Sequence, residues 1–294
     1  VEEKAWTPLK LVAWTVQYFQ EHGVEEPRLD AELLLADVLG VERIMLYAGF
    51  ERVLTDDQLA KFRACVRARA AGRPAKYISG RTEFYSIPLR VDDRVLIPRP
   101  ETEILVERAL QLLAERPRDE FPLVVEIGTG SGAVVIALAK TFPDANYVAT
   151  DVSPEALGLA RENAEANSVA PRIEFLSGDL FDPLATMALE GRVDLIVSNP
   201  PYVAEAQWSS LAREIRMFEP KHALVAGAHG TEILARLIDG APPFLRSGAA
   251  LLTEMDPSQK DAVSSCAARR CEYAPPCFHR DFAGLWRVAE FARL

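Results

Sequence analysis

Asn199-Pro200-Pro201-Tyr202 closes an apolar run, Val193-Asp194-Leu195-Ile196-Val197-Ser198, that reads as a buried strand. In that position the tetrapeptide lies at a strand's carboxyl end, where open α/β sheets bind ligands. Proline cannot donate to a sheet ladder, so the strand stops there, and Pro200 holds Asn199 toward extended geometry. Such a corner can point the Asn199 side-chain carbonyl and the Pro200 main-chain carbonyl at one spot. Two convergent acceptors suit an NH2 group, and Tyr202 adds an aromatic wall. The chemistry is the holding of a planar amide or amino nitrogen for alkylation. Paired prolines alone are also a common loop signal, so the rest of the chain must decide.

Upstream, Glu126-Ile127-Gly128-Thr129-Gly130-Ser131-Gly132 joins an apolar run to a helical one. A glycine loop of this kind lets a ligand approach the backbone, and a dinucleotide is one candidate. The spacing differs from the dinucleotide pattern G-x-G-x-x-G, and Glu126 would repel a pyrophosphate while suiting a cationic amino-acid group. Asp151, ending the next strand, can accept from both ribose hydroxyls. Asp179, after Ser177-Gly178, can accept from an adenine amino group, with Leu180 and Phe181 flanking the ring. A single carboxylate is commonly a helix cap or a solvated charge. Carboxylates at three successive strand ends around a glycine loop fit a cationic nucleoside, S-adenosylmethionine, with S-adenosylhomocysteine as its product.

The elements that must position these residues follow from periodicity. Residues 6 to about 75 show apolar spacing of helical period and predict a bundle of about four helices. Thr7-Pro8 reads as a cap and first helical position, Thr55 with Gln58 as a capping box, and Gly23, Gly40 and Gly72 as helix ends. Phe84–Leu89 and Arg90–Ile97 predict a β-hairpin turning near Asp92-Asp93. From residue 101 helices alternate with strands at 123–127, 146–151, 173–176 and 193–198, and late strands are expected at 249–254 and near 286–289. The fold class is α/β: a Rossmann-like, mostly parallel sheet with helices on both faces, preceded by a helical bundle and a hairpin linker.

The chain has 294 residues, 49% of them hydrophobic, and a net charge of −10. That charge opposes broad, sequence-independent binding to nucleic acid. Arg63, Arg67, Arg69 and Arg73, with Lys61 and Lys76, form a local basic group that reads either as a solvated helix face or as a partner surface. No apolar run of about 18 residues appears and Val1–Trp6 lacks a signal-peptide pattern, so no membrane association and a cytoplasmic location are expected. Cys65, Cys266, Cys271 and Cys277 contain no C-x-x-C pair, and Cys277 with His279 is a weak ligand set; no metal is expected.

The chain resembles the HemK/PrmC-type methyltransferases, which modify the glutamine side-chain nitrogen in the Gly-Gly-Gln motif of peptide-chain release factors. The likeness covers nearly the whole length. It rests on LIPRPETEILVE, EIGTGSGAVVIALA, DVSPEAL, SGDLFD, DLIVSNPPYV and FEPKHALVAG, in that order. The resemblance implies a release-factor-recognising helical domain over 1–75, a hairpin linker over 76–98 and a methyltransferase domain over 99–294; separately, the chain is expected to be a monomer. It places the cofactor's methionine part along Gly128–Gly132, the ribose on Asp151 and the adenine near Asp179-Leu180, with Asn199 beside the cofactor. Asn199–Tyr202 would hold the substrate glutamine. The chain departs from the family pattern at Glu254-Met255-Asp256-Pro257 and at Leu285-Trp286.

An amide nitrogen is a poor nucleophile, so positioning by Asn199 and Pro200 is the expected main contribution to methyl transfer. Phe84 is expected to pack on the glutamine beside Tyr202. Arg99 is expected to meet the cofactor carboxylate or the substrate, or else to pair with Glu101 or Glu103. Two rivals fit parts of the pattern. An adenine-N6 or guanine-N2 methyltransferase faces the same NH2 geometry but needs a basic cleft. A non-catalytic cofactor-binding scaffold would have no use for the acceptor pair.

Overall fold

The computed structural model describes residues 6–48, 53–115 and 121–294. It divides into two compact units, Val1–Arg81 with Ala212–Phe218, and Thr82–Leu211 with Glu219–Leu294. The boundary at Arg81 falls within the stretch expected to be a linker.

The first unit contains helices α1 (Pro8–Glu21), α2 (Pro27–Leu39), α3 (Met45–Ala48), α4 (Asp56–Ala70) and α5 (Ala75–Ser79). Phe19, Leu34, Leu35, Leu46, Phe62 and Val66 form its core. Burial of each large apolar side chain contributes roughly 1.5–3 kcal/mol. Thr55 closes the expected capping box, accepting from Gln58 N at 3.3 Å while Thr55 N donates to Gln58 Oε1 at 3.1 Å. Thr7 occupies the cap of α1 but its hydroxyl makes no capping bond. Arg69 is not part of an exposed basic group. It is buried, and its guanidinium pairs with Asp30 at 2.5 Å and with Glu214 at 2.8 Å.

The second unit begins with the hairpin of β1 (Arg81–Phe84) and β2 (Ile87–Arg90). The turn lies at Tyr85-Ser86, not near Asp92-Asp93, and the run to Ile97 forms no second strand. Both turn residues have positive φ, 51° and 57°, the geometry that closes two-residue hairpins with the right twist. Neither is the glycine or asparagine that usually signals it. Packing overrides the local preference: Phe84, Ile87 and Leu89 are buried in the core, and Tyr85 N donates to Glu103 Oε1 at 2.8 Å.

After α6 (Glu103–Ala114) come β3 (Leu123–Ile127), α7 (Ala133–Thr141), β4 (Asn146–Asp151), α8 (Pro154–Ala166), β5 (Ile173–Ser177), α9 (Asp182–Ala185) and β6 (Val193–Ser198). Short strands β7 (Val203–Ala204) and β8 (Val225–Gly227) pair with each other. Helix α10 (Arg213–Phe218), which belongs to the first unit, lies between them in sequence. The chain ends with α11 (Glu232–Gly240), β9 (Leu245–Glu254), α12 (Lys260–Ala267), β10 (Cys277–Arg280) and β11 (Trp286–Ala292).

Seven strands form one sheet in the order β10-β11-β9-β6-β3-β4-β5. Strands β9, β6, β3, β4 and β5 run parallel, and β11 pairs antiparallel with both β9 and β10. Strand side chains alternate between two cores. Val124, Ala250 and Leu252 face the cluster containing α6 and α7, while Val125, Ile127 and Leu251 face α11 and α12. The one charge inside β6, Asp194, is neutralised by Arg246 at 2.5 Å and accepts from Leu123 N at 2.7 Å. The chain enters the sheet at β3 and then builds outward on both sides, which makes the carboxyl ends of β3, β4 and β6 a topological switch point.

Candidate active site

One cavity opens at that switch point, lined by the ends of β3, β4 and β6 and by the turn after β5. Glu126, Gly128, Thr129, Gly130, Ser131, Asp151, Asp179, Leu180 and Asn199, all singled out from the sequence, line it. Gly132 does not. A Cβ there would lie 3.0 Å from Ile136 Cδ1 and 3.2 Å from Ala160 Cβ, so this glycine lets α7 pack against α8.

Glu126, next to last in β3, is buried. Its Oε2 accepts from Thr129 Oγ1 at 2.5 Å and from Val135 N at 3.2 Å. Burial pushes its carboxyl up to about 8 against the pull of those two donors, and the nearby Asp151 adds to the rise. Asp151 ends β4 and organises the glycine loop. One oxygen accepts from Gly130 N at 2.8 Å and the other from Ser153 N at 2.9 Å. A carboxylate oxygen has two acceptor sites, so each retains capacity for a ligand hydroxyl. Asp179 pairs with Arg236 through Oδ2 at 2.6 Å.

The other wall is the corner after β6. Ser198 pairs in register with Thr253 of β9, so Asn199 and Glu254 emerge side by side. Asn199 Nδ2 donates to Thr102 Oγ1 at 3.0 Å. This commits the donor end of the carboxamide to the protein and leaves its carbonyl end for the cavity. Pro201 lines the cavity, while Pro200 is buried behind it. Tyr202 packs against the core, and its hydroxyl lies 3.4 Å from Glu254 Oε1. Gln259 Nε2 donates to the carbonyls of Tyr202 and Gly230, each at 2.9 Å. A Cβ on Gly230 would lie 2.6 Å from Tyr202 O, so only glycine permits this approach.

Two expected substrate contacts take other places. Phe84 is 2% exposed and lies in the sheet core, because the true hairpin turn directs it inward. Arg99 pairs with Glu219, not with Glu101 or Glu103, and Glu219 also accepts from Ile97 N at 3.2 Å. Three further residues are not evident from the sequence. Thr102, Glu254 and Gln259 all reach the corner from distant segments, and only Thr102's place in the PETE motif gives a signal. The departure at Glu254-Met255-Asp256-Pro257 is accommodated by burying Met255 and by capping: Asp256 accepts from Ser258 N at 2.9 Å. At the other departure, Trp286 lies between Lys260 and Arg280, each 4.1 Å from its ring centre.

Comparisons with known proteins agree with this architecture. Residues 10–80 match the PrmC N-terminal domain and residues 103–227 the methyltransferase small domain. The chain is 45% identical to a release factor glutamine methyltransferase of Chlorobaculum tepidum over 86% of this chain and 87% of that one. It is 40% identical to one of Rhodopirellula baltica over 96% and 95%. The chain belongs to the release factor glutamine methyltransferase family. As a member of that family it is an S-adenosylmethionine-dependent methyltransferase. The fold is shared more widely. The hMettl16 catalytic domain, solved with a MAT2A 3'UTR hairpin, superposes with a TM-score of 0.56 at 15% identity, covering 82% of this chain and 84% of that one.

The donor set fits this cofactor. It offers buried or cavity-facing carboxylates at Glu126, Asp151 and Asp179. It also offers a loop with open space above Gly128 and Gly130, where an added Cβ would meet no atom within 4 Å. No helix among the described residues is long and apolar enough to cross a membrane, and no group of three or more His, Cys, Asp or Glu among them could hold a metal ion.

Proposed function

We propose that this chain methylates the side-chain amide nitrogen (N5) of the glutamine in the Gly-Gly-Gln motif of peptide-chain release factors. The supporting observation is the Asn199 carboxamide, tied through Nδ2 to Thr102 at the edge of a cavity lined by Glu126, Asp151 and Asp179. Bound S-adenosylmethionine supplies the methyl group. Glu126 and the Gly128–Ser131 loop hold the methionine part, Asp151 the ribose, and Asp179 with Leu180 the adenine. The Asn199 side-chain carbonyl and the Pro200 carbonyl accept the two N–H bonds of the glutamine, Pro201 walls it in, and Tyr202, packed against the core, backs the corner.

Positioning can supply roughly 7 kcal/mol or more toward such a reaction. The acceptors also stabilise positive charge developing on nitrogen, because they are preorganised rather than recruited from solvent. No histidine or cysteine is needed as base, since the nitrogen becomes acidic once alkylated. Arg99, held by Glu219, supports the segment before α6 instead of meeting substrate. Residues 1–75 serve release-factor recognition, 76–98 link, and 99–294 carry the chemistry. The enzyme acts in the cytoplasm as a monomer, without a metal and without direct contact with nucleic acid.

The test is methyl transfer from labelled S-adenosylmethionine to a purified release factor, beside its Gln→Ala variant in the Gly-Gly-Gln loop, total RNA and total DNA. Label on the unaltered factor alone is expected. Label on nucleic acid overturns the substrate, and cofactor binding with no label on any acceptor overturns the activity.

A further inference from the structure

Glu254 is 1% exposed at the end of β9, level with Asn199. Among the described residues its Oε1 accepts only from the Tyr202 hydroxyl, at 3.4 Å, and its Oε2 is buried with no hydrogen-bond partner. Thr102, which accepts from Asn199 Nδ2, has its hydroxyl close enough to Glu254 to favour the ionised form of the acid. A buried carboxyl with so little compensation costs stability, and nothing in the packing of the sheet calls for one there.

A carboxamide has a donor end and an acceptor end, and its use at this site depends on which one faces the cavity. Thr102 has one hydroxyl proton. An ionised Glu254 is an acceptor only, so a Thr102 hydroxyl proton turned toward it leaves Oγ1 free to accept from Asn199 Nδ2, the bond observed. The Asn199 carbonyl then faces the cavity. A protonated Glu254 can instead donate to Thr102, freeing the Thr102 proton for the Asn199 carbonyl. The carboxamide is then stable turned over, with its N–H groups opposing those of the substrate.

We propose that Glu254 is a positioning residue for methyl transfer, orienting the Asn199 carboxamide through Thr102; this rests on the assignment of Asn199 as the acceptor for the substrate amide. The groups around Glu254 make it responsive to pH. Burial, with a smaller contribution from Glu101 in the turn before α6, raises its carboxyl to about 7 against the pull of Thr102, Arg287 of β11 and the Tyr202 hydroxyl. Arg287 is itself held by Asp281 at 2.9 Å, and Asp256 acts on the adjoining Tyr202.

The experiment is the pH dependence of kcat, from about pH 5.5 to 9, for the unaltered enzyme, Glu254→Gln, Glu254→Leu and Thr102→Val, with S-adenosylhomocysteine affinity and thermal unfolding measured on each. The unaltered enzyme should gain kcat as pH rises through about 7. Glu254→Gln can accept from Thr102 through its own carbonyl, so it should stay within about tenfold but lose that inflection. Glu254→Leu and Thr102→Val should each lower kcat about 10²-fold with KM for the release factor and S-adenosylhomocysteine affinity within a few-fold. Thr102→Val leaves the buried acid in place, so it tests the chain of bonds even if Glu254→Leu does not fold. The same inflection in Glu254→Gln, or unchanged kcat in Thr102→Val, overturns the proposal alone. Absence of transfer by the unaltered enzyme removes the reading of Asn199 and the proposal with it.

Discussion

On the β3–β4 side of the cavity, the carboxylates are held by neighbours in sequence. Glu126 meets Thr129 and Val135, three and nine residues away, and Asp151 meets Ser153 and Gly130, two and 21 away. On the β6–β9 side the bonds that hold the Asn-Pro-Pro-Tyr corner span long stretches of chain: 97 residues from Asn199 to Thr102, 52 from Tyr202 to Glu254, 57 from Gln259 to Tyr202. The first wall is a local motif that folds its own ligands into place. The second exists only when the sheet is assembled, because strand register brings β9 beside β6. A cofactor of fixed shape can be met by a local loop. A substrate amide that must be aimed within a fraction of an ångström needs side chains held from several directions.

The largest expected effect tests that division directly. Asn199→Ala should lower kcat by about 10²–10³-fold while leaving S-adenosylhomocysteine affinity, measured by calorimetry, within a few-fold. If affinity collapses and turnover at saturation survives, the two walls are not functionally separate.

Glu126→Gln probes the buried, titratable carboxyl of the first wall. The native carboxyl keeps its proton up to about pH 8, whereas the unfolded chain releases it at about 4.3. Between those values the native state binds more protons, so stability falls as pH rises, by at most about 1.4 kcal/mol per pH unit. Removing the charge should flatten the decline in the cofactor-free protein, leaving the share contributed by Glu254. Denaturant midpoints at pH 5 and pH 7.5 measure it. An unchanged slope would mean that Glu126 is ionised in the fold.

Asp151→Ala should weaken S-adenosylmethionine binding by about 10–100-fold, the worth of hydrogen bonds to a charged acceptor of roughly 1.5–3 kcal/mol. It should leave kcat at saturating cofactor less affected than Asn199→Ala does. A larger fall in kcat than in affinity would show that the loop held by Asp151 also aims the substrate.

The same division explains what is legible in the sequence. Glycine spacing, strand-end carboxylates and apolar alternation are local, so β3, β4, β6 and nine of the ten candidate cofactor residues at the cavity follow from them. Gly132 is the exception because its reason is a neighbouring helix, at Ala160. The hairpin turn escapes sequence reasoning because Tyr85-Ser86 carries no turn signal, and the buried Phe84, Ile87 and Leu89 set the register instead. Thr102, Glu254 and Gln259 belong to the second wall. No spacing rule joins residues 97 or 52 apart; the parallel pairing of Ser198 with Thr253 brings Glu254 beside the corner.

Gln259 gives the smallest effect and the sharpest test of the second wall. Its amide is fully used: Nε2 donates to the Tyr202 and Gly230 carbonyls, and Oε1 accepts from Asp256 N at 3.1 Å. Gln259→Ala strands two carbonyls, one of them in the Asn-Pro-Pro-Tyr corner, at a cost of about 1–3 kcal/mol, and should lower both Tm and kcat by modest amounts. Gln259→Glu keeps nearly the same shape but can no longer donate as a carboxylate. If donation to the Tyr202 carbonyl holds the corner, Glu should lower kcat at least as much as Ala, with cofactor affinity unmoved. If Glu behaves like Gln while Ala loses activity, the side chain acts by filling space, and the second wall is held by packing rather than by its long-range hydrogen bonds.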